Sequence, residues 1–259
     1  MKPSTLLKAG AALVLLMVLG AVGAITFINH SRPQPLGLAQ AARHTTSPRP
    51  DDPLTLACRR PAVPDNSSSG VAGLWAVQAG SLAGYQAREK FAEVTSPHVA
   101  VARTDTVGGW LLVGAVAAGV QIETGCIAVD VRTLRSVDEL PGFRTSDRDD
   151  IARQMLSSRE HPYVIFQPYP AAISVDGSSN AVQHVQISGA LEIGGVTRPA
   201  KFGLDVRLTN SELSAAGATV VAVDDYGVEV PQEAGGFVQV DPNITLEVSL
   251  ILAKPVQPQ

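Results

Sequence analysis

The sequence predicts a mainly antiparallel β protein with one short helical insertion, preceded by an N-terminal transmembrane helix. Three observations carry that class. From Leu74 onward apolar and polar residues alternate with period two, as in strands with one dry and one wet face. One segment, residues 146–162, has helical spacing instead. Near the start, Ala9–Ile28 runs for twenty residues without a charge.

Composition narrows the class further. The 259 residues are 45% hydrophobic, enough for a substantial core and too many for a disordered chain. A formal charge of −4 leaves no electrostatic footprint for nucleic acid. Two cysteines, Cys58 and Cys126, exclude a disulfide miniprotein and a multi-cysteine zinc site, and the five histidines form no metal-binding spacing. No metal or cofactor is therefore expected.

At 1.5 Å per residue Ala9–Ile28 spans about 30 Å, the thickness of a bilayer core. Lys2 and Lys8 precede it, as in a signal peptide or a signal anchor. Its length favours an uncleaved single-pass anchor in the plasma membrane; cleavage after Ala24, in Val22-Gly23-Ala24, would release a secreted protein. The long domain that follows is expected on the extracytoplasmic side. We divide the chain into an anchor (1–30), a Pro/Ser-rich tether (31–72), a β domain (73–254) and a tail (255–259). Residues 31–70 hold seven of the eighteen prolines, a composition that predicts neither helix nor central strand.

In the β domain, Phe202, Leu204, Val206 and Leu208 alternate with Lys201, Gly203, Asp205 and Arg207. Val185, Ile187, Leu191 and Ile193 alternate with His184, Gln186, Ser188 and Glu192, and Ile244, Leu246, Val248 and Leu250 with Thr245, Glu247 and Ser249. Further strands are expected at 75–79, 82–90, 98–104, 110–115, 119–132, 163–175 and 217–223, with turns at 176–180 and 209–212. The helix, 146–162, has Ser146 as its candidate N-cap, places Ile151, Met155 and Leu156 on one side and ends before Pro162. Eight to nine antiparallel strands resolve their edges by sandwiching or by closing into a barrel.

Several stretches together resemble the YceI-like family of lipocalin-type barrels. Gly189–Pro199 is similar to its strand, glycine turn and strand. Asp147-Arg148-Asp149, Met155-Leu156 and His161–Phe166 resemble its Arg-Asp helix leading into a Pro-x-x-x-Phe strand. Asp130–Leu134 resembles the valine–aspartate strand upstream, and Asp225–Val228 with Ile244–Leu250 the closing region. Gly73–Val77, Gly80-Ser81 and Gly84-Tyr85 fit a membrane-anchored subgroup. The resemblance covers about 73–254. It implies an eight-stranded antiparallel barrel in the bacterial envelope whose apolar bore holds a polyisoprenoid or similar long-chain lipid.

Phe166, Ile187, Leu191, Phe202, Leu204, Val206, Leu246 and Val248 are the candidates to line that bore, because they occupy the dry faces of its strands. Such residues also fill small barrels that bind nothing. Gly189, Gly203, Ala218 and Ala222 leave room for a guest or permit strand curvature. A buried methylene contributes about 0.8 kcal/mol, while association costs on the order of 4–15 kcal/mol, so useful affinity needs a long chain in a deep bore.

Polar candidates are fewer. Arg198, after the glycine turn, is placed to meet a headgroup phosphate, or to hold the turn through a salt bridge. The Asp147, Arg148, Asp149 cluster suits a headgroup or acid–base role, but capping and local pairing is its commoner use. His98, His161 and His184 stand alone, and no nucleophile–base set can be assembled, so no enzyme is expected. In an oxidising compartment Cys58 and Cys126 are expected to pair, pinning the end of the tether to a strand. The leading reading is non-catalytic binding of a long-chain lipid. The alternative is an envelope interaction module with a filled barrel that binds a protein partner.

Overall fold

Period-two strands of this length cannot lie flat, and here they close. The computed structural model describes residues 33–38, 53–60, 70–91, 98–116, 119–139, 144–173, 181–209, 211–230 and 238–255. Nearly all belong to one compact unit, Pro35–Gln259. The expected membrane segment Ala9–Ile28 lies outside the described residues, as do much of the tether, the 176–180 turn and most of the tail. Among the described residues no helix is long and apolar enough to cross a membrane.

The strands are β1 (Gly73–Val77), β2 (Leu82–Phe91), β3 (His98–Thr104), β4 (Val107–Val116), β5 (Gly119–Asp130), β6 (Arg135–Ser136), β7 (Tyr163–Pro168), β8 (Ala171–Ile173), β9 (Gln183–Ile193), β10 (Val196–Leu208), β11 (Glu212–Ala222), β12 (Val238–Val240) and β13 (Asn243–Ala253). Sequence patterning separates β1 from β2 and β3 from β4, but the ladders join them. Ala76 pairs with Trp110 of β4 and Ala83 with Thr104 of β3, so β1 and β2 form one long stave against a second made of β3 and β4. Likewise β7 and β8 both pair with β5, and β12 and β13 both pair with β2. Eight staves result, each antiparallel to its sequence neighbours. The last closes on the first, through Val77 with Leu252 and Leu82 with Ser249. The short β6 and β12 and the extension of β11 back to Glu212 are additions to the sequence-based assignment.

The first stave breaks at 78–81, where buried Ser81 keeps the seam bonded. Its hydroxyl donates to the Gln78 carbonyl at 2.8 Å and accepts from Ile251 N at 3.0 Å. The β9–β10 hairpin turns on Gly194 (φ 56°) and Gly195 (φ 80°) between paired Ile193 and Val196, the left-handed pair that a two-residue hairpin requires.

Two α-helices are described. The tether, where no helix is expected, contains a single turn, α1 (Pro53–Ala57), because proline is tolerated at a helix start. Packing holds it: Leu54 and Cys58 are buried with Trp110, Cys126 and Ala128, Trp110 Nε1 donates to the Cys58 carbonyl at 3.1 Å, and Cys58 is disulfide-bonded to Cys126 on β5. Part of the tether is thus fixed to the barrel. The stretch around Leu36 is fixed as well. Leu36 N donates to Glu247 at 3.2 Å and Ser249 Oγ to the Gly37 carbonyl at 2.9 Å, which covers two polar residues on the wet face of β13.

The second helix, α2 (Thr145–Met155), sits in the insertion between β5 and β7. It starts two residues earlier than the expected cap allows. Arg144 occupies the N-cap without a side-chain hydrogen bond, and Ser146 lies inside the first turn. Tertiary contacts compensate: Asp149 accepts from both N and Oγ of Ser136, at 2.8 and 2.7 Å, and Arg153 reaches the Leu134 carbonyl.

The bridge closes a 67-residue loop, for which chain entropy assigns about 4 kcal/mol. Replacing both cysteines by serine is expected to lower unfolding free energy by roughly that amount in denaturant titrations, with the β circular-dichroism signature of the native state retained.

Candidate functional site

Closure turns one face of every stave inward. On β9 that face is Val185, Ile187, Gly189, Leu191 and Ile193; on β13 it is Ile244, Leu246, Val248, Leu250 and Leu252. These side chains do not fill the bore. Two cavities remain, of about 320 Å³ and 110 Å³, counted as room for the centres of water-sized spheres. The larger lies at the α2 end, with Ala152, Met155 and Leu156 of the helix region on its wall. Ile151 also lines it while remaining 52% exposed, which puts its mouth beside the helix. The smaller lies at the other end, where the wholly buried Trp75 packs into the surrounding core.

All eight lining candidates stand on these walls. Leu191 and Leu246 face the larger chamber; Ile187, Leu204 and Val206 face the smaller; Phe166, Phe202 and Val248 border both. The bore is divided into two chambers that meet at a waist. Phe166 and Phe202 form it with ring centroids 5.0 Å apart in an edge-on arrangement, joined by Ile127 and Val248.

The small residues act differently from expectation. A Cβ on Gly189 would stand 2.6 Å from the Phe166 ring and 2.4 Å from the Gln167 carbonyl oxygen. The space that this glycine leaves is used by the waist ring and not by a guest. Gly203, Ala218 and Ala222 line neither chamber; they have the parity of the outer face, opposite to Phe202, Ala215 and Val221.

Polar groups concentrate under α2. Arg148 pairs with Asp138, Nη1 to Oδ2 at 2.9 Å. Asp138 also accepts from Val101 N at 2.7 Å and lies 2.6 Å from His98 Nε2. The cluster on α2 thus ties the insertion to distant residues and does not cap its own helix. Burial opposes ionisation of Asp138, but hydrogen bonds from His98, Arg148 and Val101 hold its carboxyl at about 2, below the ordinary 3.8. On the inward face of β2, Tyr85 and Glu89 join the chamber wall. Burial pushes the Tyr85 hydroxyl up to about 12, keeping it neutral. Burial also raises the Glu89 carboxyl, partly offset by Arg148 and His98.

Sequence reasoning passed over Tyr85 and Glu89. The signal was present: Ala83, Tyr85, Ala87, Glu89 and Phe91 share one parity, with a carboxylate among apolar neighbours. Arg198 lines neither chamber; it is exposed on β10, paired in register with Leu191, and donates to the Thr197 carbonyl rather than to a carboxylate. His184 is exposed and 3.1 Å from Asp205. Among the described residues no group of His, Cys, Asp and Glu is arranged to hold a metal.

This geometry defines a class: a closed, eight-stranded, lipocalin-type antiparallel barrel with an apolar and partly empty interior. Within that class, a YceI-like domain matches residues 87–252, well over half of the sequence, and the chain belongs to the YceI-like family. Among solved structures, it is similar to a polyisoprenoid binding domain from Saccharophagus degradans implicated in plant cell wall breakdown. That likeness has 15% identity and a TM-score of 0.54, and covers 71% of this chain and all of the other. It is also similar to BcnA of Burkholderia cenocepacia, at 13% identity and a TM-score of 0.44, over 65% of this chain and 95% of the other. At these identities the likeness is one of fold. No curated protein matches the chain.

Two outcomes follow from the geometry. Gly189→Ala forces either the Phe166 ring or the β7–β9 ladder to shift, and an unfolding titration is expected to show a loss of about 1–3 kcal/mol, part of it returned in a Phe166→Leu background. Asp138 is more acidic in the folded state, so its contribution is complete above the unfolded value near 3.8 and is lost as pH falls towards 2. Stability measured from pH 5 to pH 2 is expected to fall by about 2 kcal/mol more in the native protein than in Asp138→Asn.

Proposed function

We propose that the barrel binds a long-chain lipid, a polyisoprenoid, without chemical conversion, on the extracytoplasmic side of a membrane to which Ala9–Ile28 anchors it. The observation that carries the proposal is the unfilled bore: a barrel whose inward side chains are nearly all apolar keeps two chambers beyond its own packing needs. At about 0.8 kcal/mol per buried methylene, a chain needs on the order of fifteen of them to gain about 12 kcal/mol, near the upper part of the association cost, so retention favours a chain long enough to occupy both chambers or extend beyond them. The description of the Saccharophagus degradans domain as polyisoprenoid binding supports the choice of lipid. The disulfide supports an oxidising compartment.

A filled module that binds a protein would have no use for this space. Denaturing extraction of the full-length protein followed by lipid mass spectrometry is expected to release a co-purifying long-chain lipid, and its repeated absence would count against the proposal. Leu246→Trp, which narrows the larger chamber, is expected to lower the retained amount with the melting transition preserved.

A further inference from the structure

Glu89 is the one side chain on the wall of the larger chamber whose hydrogen bonding is incomplete among the described residues. Its Oε2 is buried and has no hydrogen-bond partner. The nearest cation, Arg148 Nη2, is 3.9 Å away, too far for a hydrogen bond. Both Arg148 contacts that are short enough go to Asp138, yet a guanidinium has five N–H donors, so several remain for another acceptor. Tyr85 stands on the same wall, four residues along β2 and nearer the waist. An apolar bore therefore contains one unused acceptor with donors beside it, close to the mouth that exposed Ile151 marks.

We propose that Glu89 and Arg148 recognise the head of the bound chain, and that the head is an uncharged hydroxyl, as in a prenyl alcohol or a phenol, rather than a phosphate or carboxylate. A hydroxyl both donates and accepts. One oxygen lodged between the two side chains gives its hydrogen to Glu89 Oε2 and takes one from Arg148, completing what the protein leaves open. An anionic head meets the wrong field: Glu89 and the Asp138 behind it outnumber the single cation on the chamber wall, and that cation is already held by Asp138. From Glu89 to Ala83, which pairs with the waist residue Val248, is about 20 Å along the strand, so a head at Glu89 puts the tail in line with both chambers.

This assignment rests on the lipid-binding reading, and one experiment separates their failures. Full-length protein is loaded with a fluorescent long-chain lipid and challenged with three competitors of equal length: farnesol, farnesyl monophosphate and the parent hydrocarbon. Farnesol is expected to displace the probe at least tenfold better than either of the others. Glu89→Leu is expected to reduce the farnesol-to-hydrocarbon ratio to within twofold of unity, with a melting temperature equal to or above that of the native protein. Glu89→Gln, whose amide carbonyl still accepts, is expected to retain part of the preference and serves if the leucine variant misfolds. Equal displacement by farnesol and hydrocarbon, stronger displacement by the phosphate, or a preference that survives Glu89→Leu would overturn the head assignment alone. Failure of any chain to bind would overturn the lipid reading and the assignment with it.

Discussion

The ladder that β13 makes with both β1 and β2 is what converts a curled sheet into a vessel. An open sheet of this composition would present an edge of unpaired backbone and a broad apolar face to water. With the ladder in place every stave has two neighbours, the apolar face is enclosed, and the interior volume is set by strand number and tilt rather than by the side chains that point into it. Residues such as Val185, Val206 and Ala215 are too small to use all of that volume, and the surplus becomes the two chambers. The buried hydroxyl of Ser81 matters for the same reason: it carries the ladder across the one place where the first stave changes register.

At the α2 end the enclosure depends on charge instead. The insertion offers little apolar surface of its own. It is held by Asp138, shared among Val101, His98 and Arg148, and by Asp149 on Ser136. The charges that hold this cover down are therefore the ones nearest the mouth, and any ligand passing α2 passes a polar threshold before it reaches hydrocarbon. Opposite ends of one barrel thus have different characters, apolar packing around Trp75 at one and an ion network at the other.

Much of the barrel could be read from the sequence because a half-buried strand has no freedom in its periodicity. The dry faces of β9, β10 and β13 were legible residue by residue, and so was the Gly194-Gly195 turn. Continuity was harder. Residues 78–81 and 105–106 look like turns locally, and only pairing with distant strands makes them kinks within single staves. Gly203, Ala218 and Ala222 leave two uses open in the sequence because smallness carries no direction; parity assigns them to the outer face. The short helix α1 forms through a disulfide and the burial of Leu54, neither of which a proline-rich composition announces. Glu89 was missed because charge on a strand is ordinarily taken as its wet side, and its parity with Tyr85 and Ala87 says otherwise.

The waist built by Phe166 and Phe202 gives the interior a graded response to guest size. Within the chamber beneath α2, each added carbon of a guest gains burial at no steric cost. A guest that outgrows that chamber must first turn two interlocked rings, one of which is seated over the backbone of Gly189. The far half of the interior is therefore reached only by a rearrangement of the protein's own aromatic packing.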